Sequence, residues 1–166
     1  MLGLLRALMI GRPRAAAGHR YWRLLANDAS WVAYLGSYTH FQTLFTIQFY
    51  EGATTGTDLC LSGTAQASSY FNSPDPTYNA AKANDGNNTT TRWATSGVAT
   101  TPQSWWVDLG AGVRKDVRGV GFIPFSTAYH AKSYLLQWSD DGVSWTTKAT
   151  INTANAGTTR QTFENL

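Results

Sequence analysis

Short runs rich in aromatic and β-branched residues recur along the chain after residue 18, and this recurrence limits the fold more than any other feature. The runs are RYWRLLA, TLFTIQFY, SWWVDL, VRGVGFIPF, SYLLQWS, SWTTKATI and TRQTF. Runs of this kind between Gly, Asn, Asp and Ser clusters predict antiparallel strands. No window after residue 18 has a helical period. We therefore predict an all-β fold, an antiparallel β-sandwich with jelly-roll topology.

Alternation inside two neighbouring runs predicts which side chains face the core. One face of SYLLQWS carries Tyr134, Leu136 and Trp138, and one face of SWTTKATI carries Trp145, Thr147, Ala149 and Ile151. Between the runs, DDG predicts a hairpin turn, because Gly142 can adopt the positive φ that tight hairpins need. We assign four tryptophans mainly to the core: Trp93, Trp106, Trp138 and Trp145.

Length, charge and missing motifs exclude several classes of protein. The chain has 166 residues, which suits one domain with one core. Its net charge is +3, but the basic residues are scattered and form no stripe typical of a nucleic-acid surface. Cys60 is the sole cysteine, so neither an intrachain disulfide nor a cysteine-based zinc site can form. No nucleophile elbow, zinc-protease motif or dinucleotide fingerprint is present, and we do not expect an enzyme.

Residues 1–18 differ from the rest of the chain. The opening MLGLLRALMI is apolar apart from Arg6, but it is much shorter than the roughly 20 residues that span a bilayer. No basic region precedes it, which disfavours a signal peptide. Pro13 and Gly18 separate it from the body at residues 19–166. We predict an N-terminal arm that docks on a partner through Leu2, Leu4, Leu5, Leu8 and Ile10.

Three motifs in a fixed order carry a family resemblance. They are ANDGNNTTTRW, WWVDLG and LLQWSDDGVSW, and ASS at residues 67–69 fits the family's first strand and spike loop. In this order the chain resembles the discoidin family, also called F5/8 type C or galactose-binding-like domains, which includes the family-32 carbohydrate-binding modules. The resemblance covers roughly residues 57–163. It implies a discoidin-like jelly roll that binds sugar without catalysing a reaction.

The resemblance also exposes an unusual order of strands. The family normally ends with a strand pair similar to RYVRL…EIEVYG, whereas here the matching pair, HRYWRLLA and TLFTIQFYEG, lies at the front within residues 19–52. We interpret the chain as a circular permutant in which these residues supply the closing strands. Sandwich termini tend to lie close together, so such a permutation costs little. The alternative is that the front strands complete a neighbouring subunit's sheet.

This order of motifs resembles proteins found among tailed-phage structural genes. The resemblance implies a virion location in the tail, baseplate, fibre or capsid, or otherwise at the cell surface or outside the cell. It also implies other virion proteins as partners of the arm, and a homo-oligomer or many copies. We expect no nucleic-acid partner and no transmembrane segment.

The motif ANDGNNTTTRW corresponds to a loop that often holds calcium in the family. The resemblance implies three ligands, Asp85, Asn88 and Thr91, with Asn84 and Asn87 as nearby oxygen donors. Calcium prefers such oxygen ligands. The family's glutamate from the closing strand is replaced by Thr46, so calcium should bind weakly or not at all. The alternative is that Asp85 only caps the turn.

Family modules bind sugar at loops on one end of the sandwich, through an aromatic platform and polar donors. A flat ring suits the apolar C–H face of a sugar, and fixed donors suit its hydroxyl edge. The candidates are Tyr129, His130, Tyr70, Phe71, Trp31, Tyr34, Tyr38 and His40, and Arg92 could join them.

Two functions compete at this point. The first is a non-catalytic carbohydrate-binding or adhesion module of a phage virion that recognises a host surface glycan. The second is a purely structural virion adaptor or decoration protein that docks through its arm without binding sugar. An enzyme ranks third, and membrane binding through the SSYF loop ranks fourth.

Overall fold

Two antiparallel sheets form the body of the protein. The computed structural model describes residues 18–126, 129–155 and 157–166. The strands are β1 (Tyr21–Ala26), β2 (Thr43–Tyr50), β3 (Thr64–Ala67), β4 (Trp93–Ala94), β5 (Ser104–Asp108), β6 (Gly119–Pro124), β7 (Ser133–Ser139), β8 (Thr146–Asn152) and β9 (Gln161–Phe163). The five-stranded sheet has the order β3-β5-β1-β7-β8, and the four-stranded sheet has the order β4-β2-β6-β9. The predicted all-β sandwich is confirmed.

Helical structure in the described ranges is limited to three short 3-10 helices. They span Leu59–Ser62, Pro76–Tyr78 and Ala80–Ala83. Aspartate side chains cap the first two, since Asp58 accepts from the Cys60 N–H and Asp75 from the Thr77 N–H. No helix among the described residues is long and apolar enough to span a membrane. The predicted docking arm, with Leu2, Leu4, Leu5, Leu8 and Ile10, lies outside the described residues.

The two front strands occupy the middle of the sheets. Strand β1 pairs with β5 on one side and with β7 on the other, and β2 pairs with β4 and β6. The buried residues of β1 alternate with half-buried ones, as expected for a strand that has one face on the core. Both front strands thus lie between strands from later in the chain, and the circular permutation stays a prediction.

The core lies between the sheets and is built from large side chains. Trp22 and Leu24 of β1 and Trp105 of β5 are buried on one side, and Phe49 of β2 and Phe122 of β6 are buried on the other. Full burial of one such side chain stabilises the fold by about 1.5–3 kcal/mol relative to exposure. This core gives the loops at the ends of the sandwich a rigid base.

The tryptophans divide between the core and the outer face of the five-stranded sheet. Trp93 is buried as predicted, and Trp138 packs against the core while partly exposed. Trp106 was wrongly assigned to the core, because it alternates with Trp105 and pairs with Arg23 on the outer face. Trp145 was also wrongly assigned, since its ring lies under the Arg23 guanidinium.

A β-bulge explains the error at Trp145. The register of β8 shifts between the pairs Leu136–Ala149 and Gln137–Thr147, so Lys148 is the extra residue. Ala149 and Ile151 keep the predicted core side, whereas Thr147 bonds to the outward Gln137 amide at 2.9 Å. The bulge thus places the start of this run on the outer face.

Candidate functional site

An aromatic pocket opens among the loops at one end of the four-stranded sheet. Its lining residues are Tyr34, Phe41, Thr43, Phe71, Arg92, Ala94, Phe125 and Tyr129. We call it the loop-end pocket. Thr43 begins β2, Ala94 ends β4, and Phe125 directly follows β6, so three neighbouring strands of one sheet supply its base. Its volume is about 190 Å³.

Ring-to-ring contacts hold the wall of the loop-end pocket. Tyr34 stacks on Phe41 with the ring centroids 4.3 Å apart. Tyr129 meets both rings edge-on, at 5.7 Å and 5.4 Å. Phe71 meets Phe41 edge-on at 6.2 Å. Such contacts add about 0.5–1.5 kcal/mol per pair beyond area burial, so the wall is formed before a ligand arrives.

Arg92 contributes a cation without an acidic partner to the loop-end pocket. Its Cζ lies 4.0 Å from the Phe125 ring centroid and 4.9 Å from the Tyr78 centroid. Within the described part of the chain, no hydrogen bond or ion pair involves its guanidinium. The stacked guanidinium therefore keeps its N–H donors for a bound molecule.

Thr43 adds a buried hydroxyl with no partner. Its backbone is fixed, because its N–H donates to the Tyr129 carbonyl at 2.7 Å and its carbonyl accepts from the Phe125 N–H at 3.0 Å. The residue is only 4% exposed, and its Oγ1 has no hydrogen bond in the described structure. A buried unsatisfied hydroxyl costs stability, which is consistent with a partner that a ligand supplies.

Gln42 ties together the loops that carry the pocket. Its Oε1 accepts from the Ala131 N–H at 2.7 Å and from the Tyr134 hydroxyl at 2.8 Å. Its Nε2 donates to the Ser30 Oγ at 2.8 Å, and its N–H donates to the Thr95 Oγ1 at 3.0 Å. Gln42 is fully buried, so this network is screened little by water.

Three of the eight predicted sugar-binding residues meet in the loop-end pocket, namely Tyr34, Phe71 and Tyr129. Sequence reasoning had named Arg92 as a further candidate and missed Phe41, Thr43 and Phe125. Phe41 lies two residues before β2, and Phe125 directly follows β6. An aromatic residue at a strand end is the signal that could have identified them.

Four predicted residues lie elsewhere on the loops. The Trp31 Nε1 donates to the Thr153 Oγ1 at 3.1 Å, and Tyr38 forms a β-bridge with Tyr34. His40 donates its backbone N–H to the Ala99 carbonyl at 3.2 Å. Tyr70 packs against the core and borders an open surface cleft beside the loop-end pocket.

His130 does not fit a sugar-contacting role in this structure. It is fully buried, and its Nε2 lies 3.0 Å from the Ala154 carbonyl oxygen. Burial lowers its pKa, so the neutral ring is favoured. The prediction is corrected: His130 holds the loop after β8 in place, and its neighbour Tyr129 faces the pocket.

The predicted calcium loop, residues 84–91, supplies a small donor set. The exposed Asp85 accepts from the Asn87 N–H at 2.9 Å, which is the turn-capping arrangement. Asn87 caps the following turn through the N–H groups of Thr89 and Thr90. The Thr91 Oγ1 is buried without a partner, and it is the one observation that favours an ion.

Thr46 lies beside this loop, as the resemblance implied. Its Oγ1 donates to the Ala83 carbonyl at 3.5 Å. Across the described residues, no three His, Cys, Asp or Glu side chains come together. Calcium takes six to eight oxygen ligands and gains most from carboxylates. With Asp85 as the single carboxylate, the donor set does not fit a tight calcium site, and the Asn88 assignment stays a prediction.

Comparison with known proteins gives one match. A family model of the F5/8 type C group, described as "NedA-like, galactose-binding domain", matches residues 82–166. No curated protein and no solved structure matches the chain. The matched range begins within the helix Ala80–Ala83 and contains the six strands β4 to β9.

Proposed function

The chain belongs to the family of NedA-like, galactose-binding domains of the F5/8 type C group, and from this premise we propose that its loop-end pocket binds a neutral hexose of a host surface glycan. The module is non-catalytic. We propose the phage virion as its setting, with other virion proteins and further copies of the chain as partners. The virion proposal rests on the order of the sequence motifs, in which the closing strands come first.

One observation carries the sugar proposal: an aromatic wall and polar groups without a partner among the described residues line one small pocket. The partly exposed Tyr34 ring, backed by the buried Phe41 ring, suits the C–H face of a pyranose, and the Arg92 guanidinium and Thr43 hydroxyl suit its hydroxyl edge. Tyrosine and threonine hydroxyls both donate and accept, which matches a neutral ligand. The volume of about 190 Å³ is below that of drug-sized sites and suits one sugar residue.

Weak binding is sufficient for this function. A site for one sugar residue gives dissociation constants of roughly micromolar to millimolar. Several copies on one particle make later contacts intramolecular, and avidity can then exceed a single affinity by about 10²–10⁴-fold. The proposed virion setting supplies such copies.

The test is a titration of the protein with galactose, glucose, mannose and N-acetylglucosamine, followed by NMR chemical shifts. We expect one of these sugars to shift the resonances of Tyr34, Thr43 and Tyr129. Arg92→Ala should weaken binding about tenfold, because hydrogen bonds from a charged donor contribute about 1.5–3 kcal/mol. The matched control is Arg114→Ala, an exposed arginine paired with Asp140 outside the pocket.

If Arg92→Ala and Arg114→Ala bind the sugar equally well, the assignment of the sugar to the loop-end pocket is contradicted. If no sugar in the panel, and no host polysaccharide, shifts these resonances, the structural adaptor without sugar binding becomes the better function. A sugar that shifts other loops only, such as the cleft beside Tyr70, would move the site without removing the function.

A further inference from the structure

A second pocket lies on the outer face of the five-stranded sheet. Its lining residues are Arg23, Ser68, Ser104, Trp106, Gly142 and Trp145. We call it the sheet-face pocket. It shares no residue with the loop-end pocket, and its volume is about 180 Å³. Strands β1 and β5 form its floor, and the hairpin between β7 and β8 forms one side.

Arg23 is an unpaired cation held in a fixed position. Its Nε donates to the Gln137 Oε1 at 2.8 Å, and its Cζ lies 4.1 Å from the Trp145 ring centroid. Partial burial lowers its pKa, and no carboxylate offsets that loss of solvation. Five of the other described cations are paired with carboxylates, namely Arg20, Arg114, Lys115, Arg118 and Lys148, whereas Lys82, Arg92, Lys132 and Arg160 have no ion pair among the described residues.

The two tryptophans of the sheet-face pocket have free indole N–H groups. In the described ranges, four other tryptophans donate to the protein itself: Trp22, Trp31, Trp93 and Trp105. Trp106 and Trp145 make no such bond in the same ranges, and both are partly exposed. Their rings therefore offer flat surfaces and unused donors together.

Ser104 supplies a further unused group. The residue is 7% exposed, and its hydroxyl has no hydrogen bond within the part of the chain that the structure describes. Its neighbour Ser68 is satisfied, since the Ser68 Oγ accepts from the Ser104 N–H at 2.9 Å and donates to the Gln103 Oε1 at 3.1 Å. The Ser104 hydroxyl therefore lines the sheet-face pocket on a mostly buried residue, where water or a ligand can reach it.

We propose that the sheet-face pocket is a second ligand site, and that it binds a sugar carrying a carboxylate, of the uronic or sialic acid type. Guanidinium and indole N–H groups only donate, so an acceptor-rich anion complements them. No acidic residue lines the pocket. The indole faces of Trp106 and Trp145 suit a sugar ring, and the Arg23 Nη atoms suit its carboxylate. The site goes beyond the proposed function and does not depend on the loop-end pocket.

The unmodified protein provides the first test. Titration with trigalacturonate, and separately with sialyllactose, is followed by the indole N–H resonances in ¹H–¹⁵N spectra, assigned by Trp→Phe variants. We expect Trp106 and Trp145 to shift with one or both sugars, while Trp22 and Trp105 stay in place. The loop-end pocket contains no tryptophan, so binding there leaves these resonances unchanged. Unchanged Trp106 and Trp145 resonances with both sugars would overturn the proposal.

Charge is tested by a matched pair of ligands and a matched pair of variants. Neutral galactotriose should bind the sheet-face pocket at least about tenfold more weakly than trigalacturonate, because the guanidinium then lacks its anion. Arg23→Gln should weaken trigalacturonate by about tenfold, whereas Arg114→Gln, with the same change of charge, should have little effect. Equal losses in the two variants would indicate attraction by net charge alone and would contradict a built site.

The two sites can fail separately. Arg92→Ala should leave trigalacturonate binding and the Trp106 shift unchanged, and Arg23→Gln should leave galactose binding unchanged. If trigalacturonate shifts Tyr34 and Tyr129 instead, the acidic sugar belongs to the loop-end pocket and the sheet-face proposal is wrong. A spectrum of Arg23→Gln with native dispersion confirms that the variant is folded.

Discussion

The loop-end pocket and the sheet-face pocket use the same pair of groups, an unpaired arginine and aromatic rings, but they are built differently. Arg92 lies on rings supplied by loops, and its pocket is held by the buried Gln42 network. Arg23 lies within a central strand, and its pocket is held by the ladder of β1 with β5 and β7. The loop-end pocket therefore depends on side-chain hydrogen bonds, whereas the sheet-face pocket depends on backbone pairing. Substitutions that weaken one of these supports and leave the other intact show whether the two pockets are independent.

The largest effect is expected from Gln42→Met, which keeps volume and removes the amide. Ala131, Tyr134 and Ser30 lose buried partners, each costing about 1–3 kcal/mol, and partial relaxation leaves a loss of about 3 kcal/mol in the free energy of unfolding. Denaturant titration measures it, with the exposed Gln66→Met as control. Galactose binding should weaken while the sheet-face pocket is retained. Equal damage to both pockets would show that their supports are not independent.

Thr46→Glu tests the predicted calcium loop, residues 84–91, beside which Thr46 lies. Thr46 is 3% exposed, so a carboxylate there should cost about 2 kcal/mol in EDTA. Millimolar calcium should restore most of this loss, because the new carboxylate completes the donors Asp85 and Thr91. The unmodified protein should respond much less. Thermal unfolding with and without calcium measures both, and an equal rise in Tm for the two proteins would contradict the importance of the missing glutamate.

Thr43→Val should stabilise the protein by up to about 1 kcal/mol, because it removes a buried hydroxyl that has no partner. The same change should weaken galactose binding by about fivefold. Thr54→Val is the matched control, since the Thr54 hydroxyl donates to the Glu164 carboxylate at 2.8 Å, and its loss should destabilise. A destabilised Thr43→Val would mean that the hydroxyl already has a partner in solution.

The smallest effect is expected from acid, which should weaken the loop-end pocket at a higher pH than the sheet-face pocket. Burial lowers the pKa of His130, so the unfolded chain takes up the proton first and the loop-end pocket loses stability as pH falls below about 6.5. The Ser144 and Val143 N–H groups hold the pKa of Asp141 well below its usual range, so the sheet-face hairpin loses that support only below about pH 4. Ligand titrations at pH 7 and pH 5 measure the order. If the sheet-face pocket loses its ligand at a higher pH than the loop-end pocket, this prediction is wrong.

The strands could be predicted from sequence because alternation and turn residues are local signals. All seven predicted strand runs are strands in the structure, and Gly142 has the positive φ expected of the hairpin, at 75°. Two short strands, Thr64–Ala67 and Trp93–Ala94, were not among these runs, because so few residues give no clear period. The bulge at Lys148 was missed for a related reason, since a bulge depends on the partner strand.

The loop-end pocket was only partly predictable, because its residues come from five separate segments. Aromatic loops identified Tyr34, Phe71 and Tyr129, but the approach of Phe41 and Phe125 depends on the order of strands in the sheet. His130 was misassigned because its buried Nε2 lies beside Ala154 and Gln161, which are distant in sequence. The sheet-face pocket could not be predicted at all, since Arg23 and Trp145 are brought together across three strands.

The central position of β1 has a mechanical consequence. A pulling force applied at Gly18 enters the sandwich through a strand hydrogen-bonded on both edges. Extension along that strand shears its two ladders together, whereas a force at the other end acts first on β9, which pairs with β6 alone. Tension applied through the front of the described chain therefore meets two ladders at once, and we expect the two proposed sugar sites to keep their shape under it.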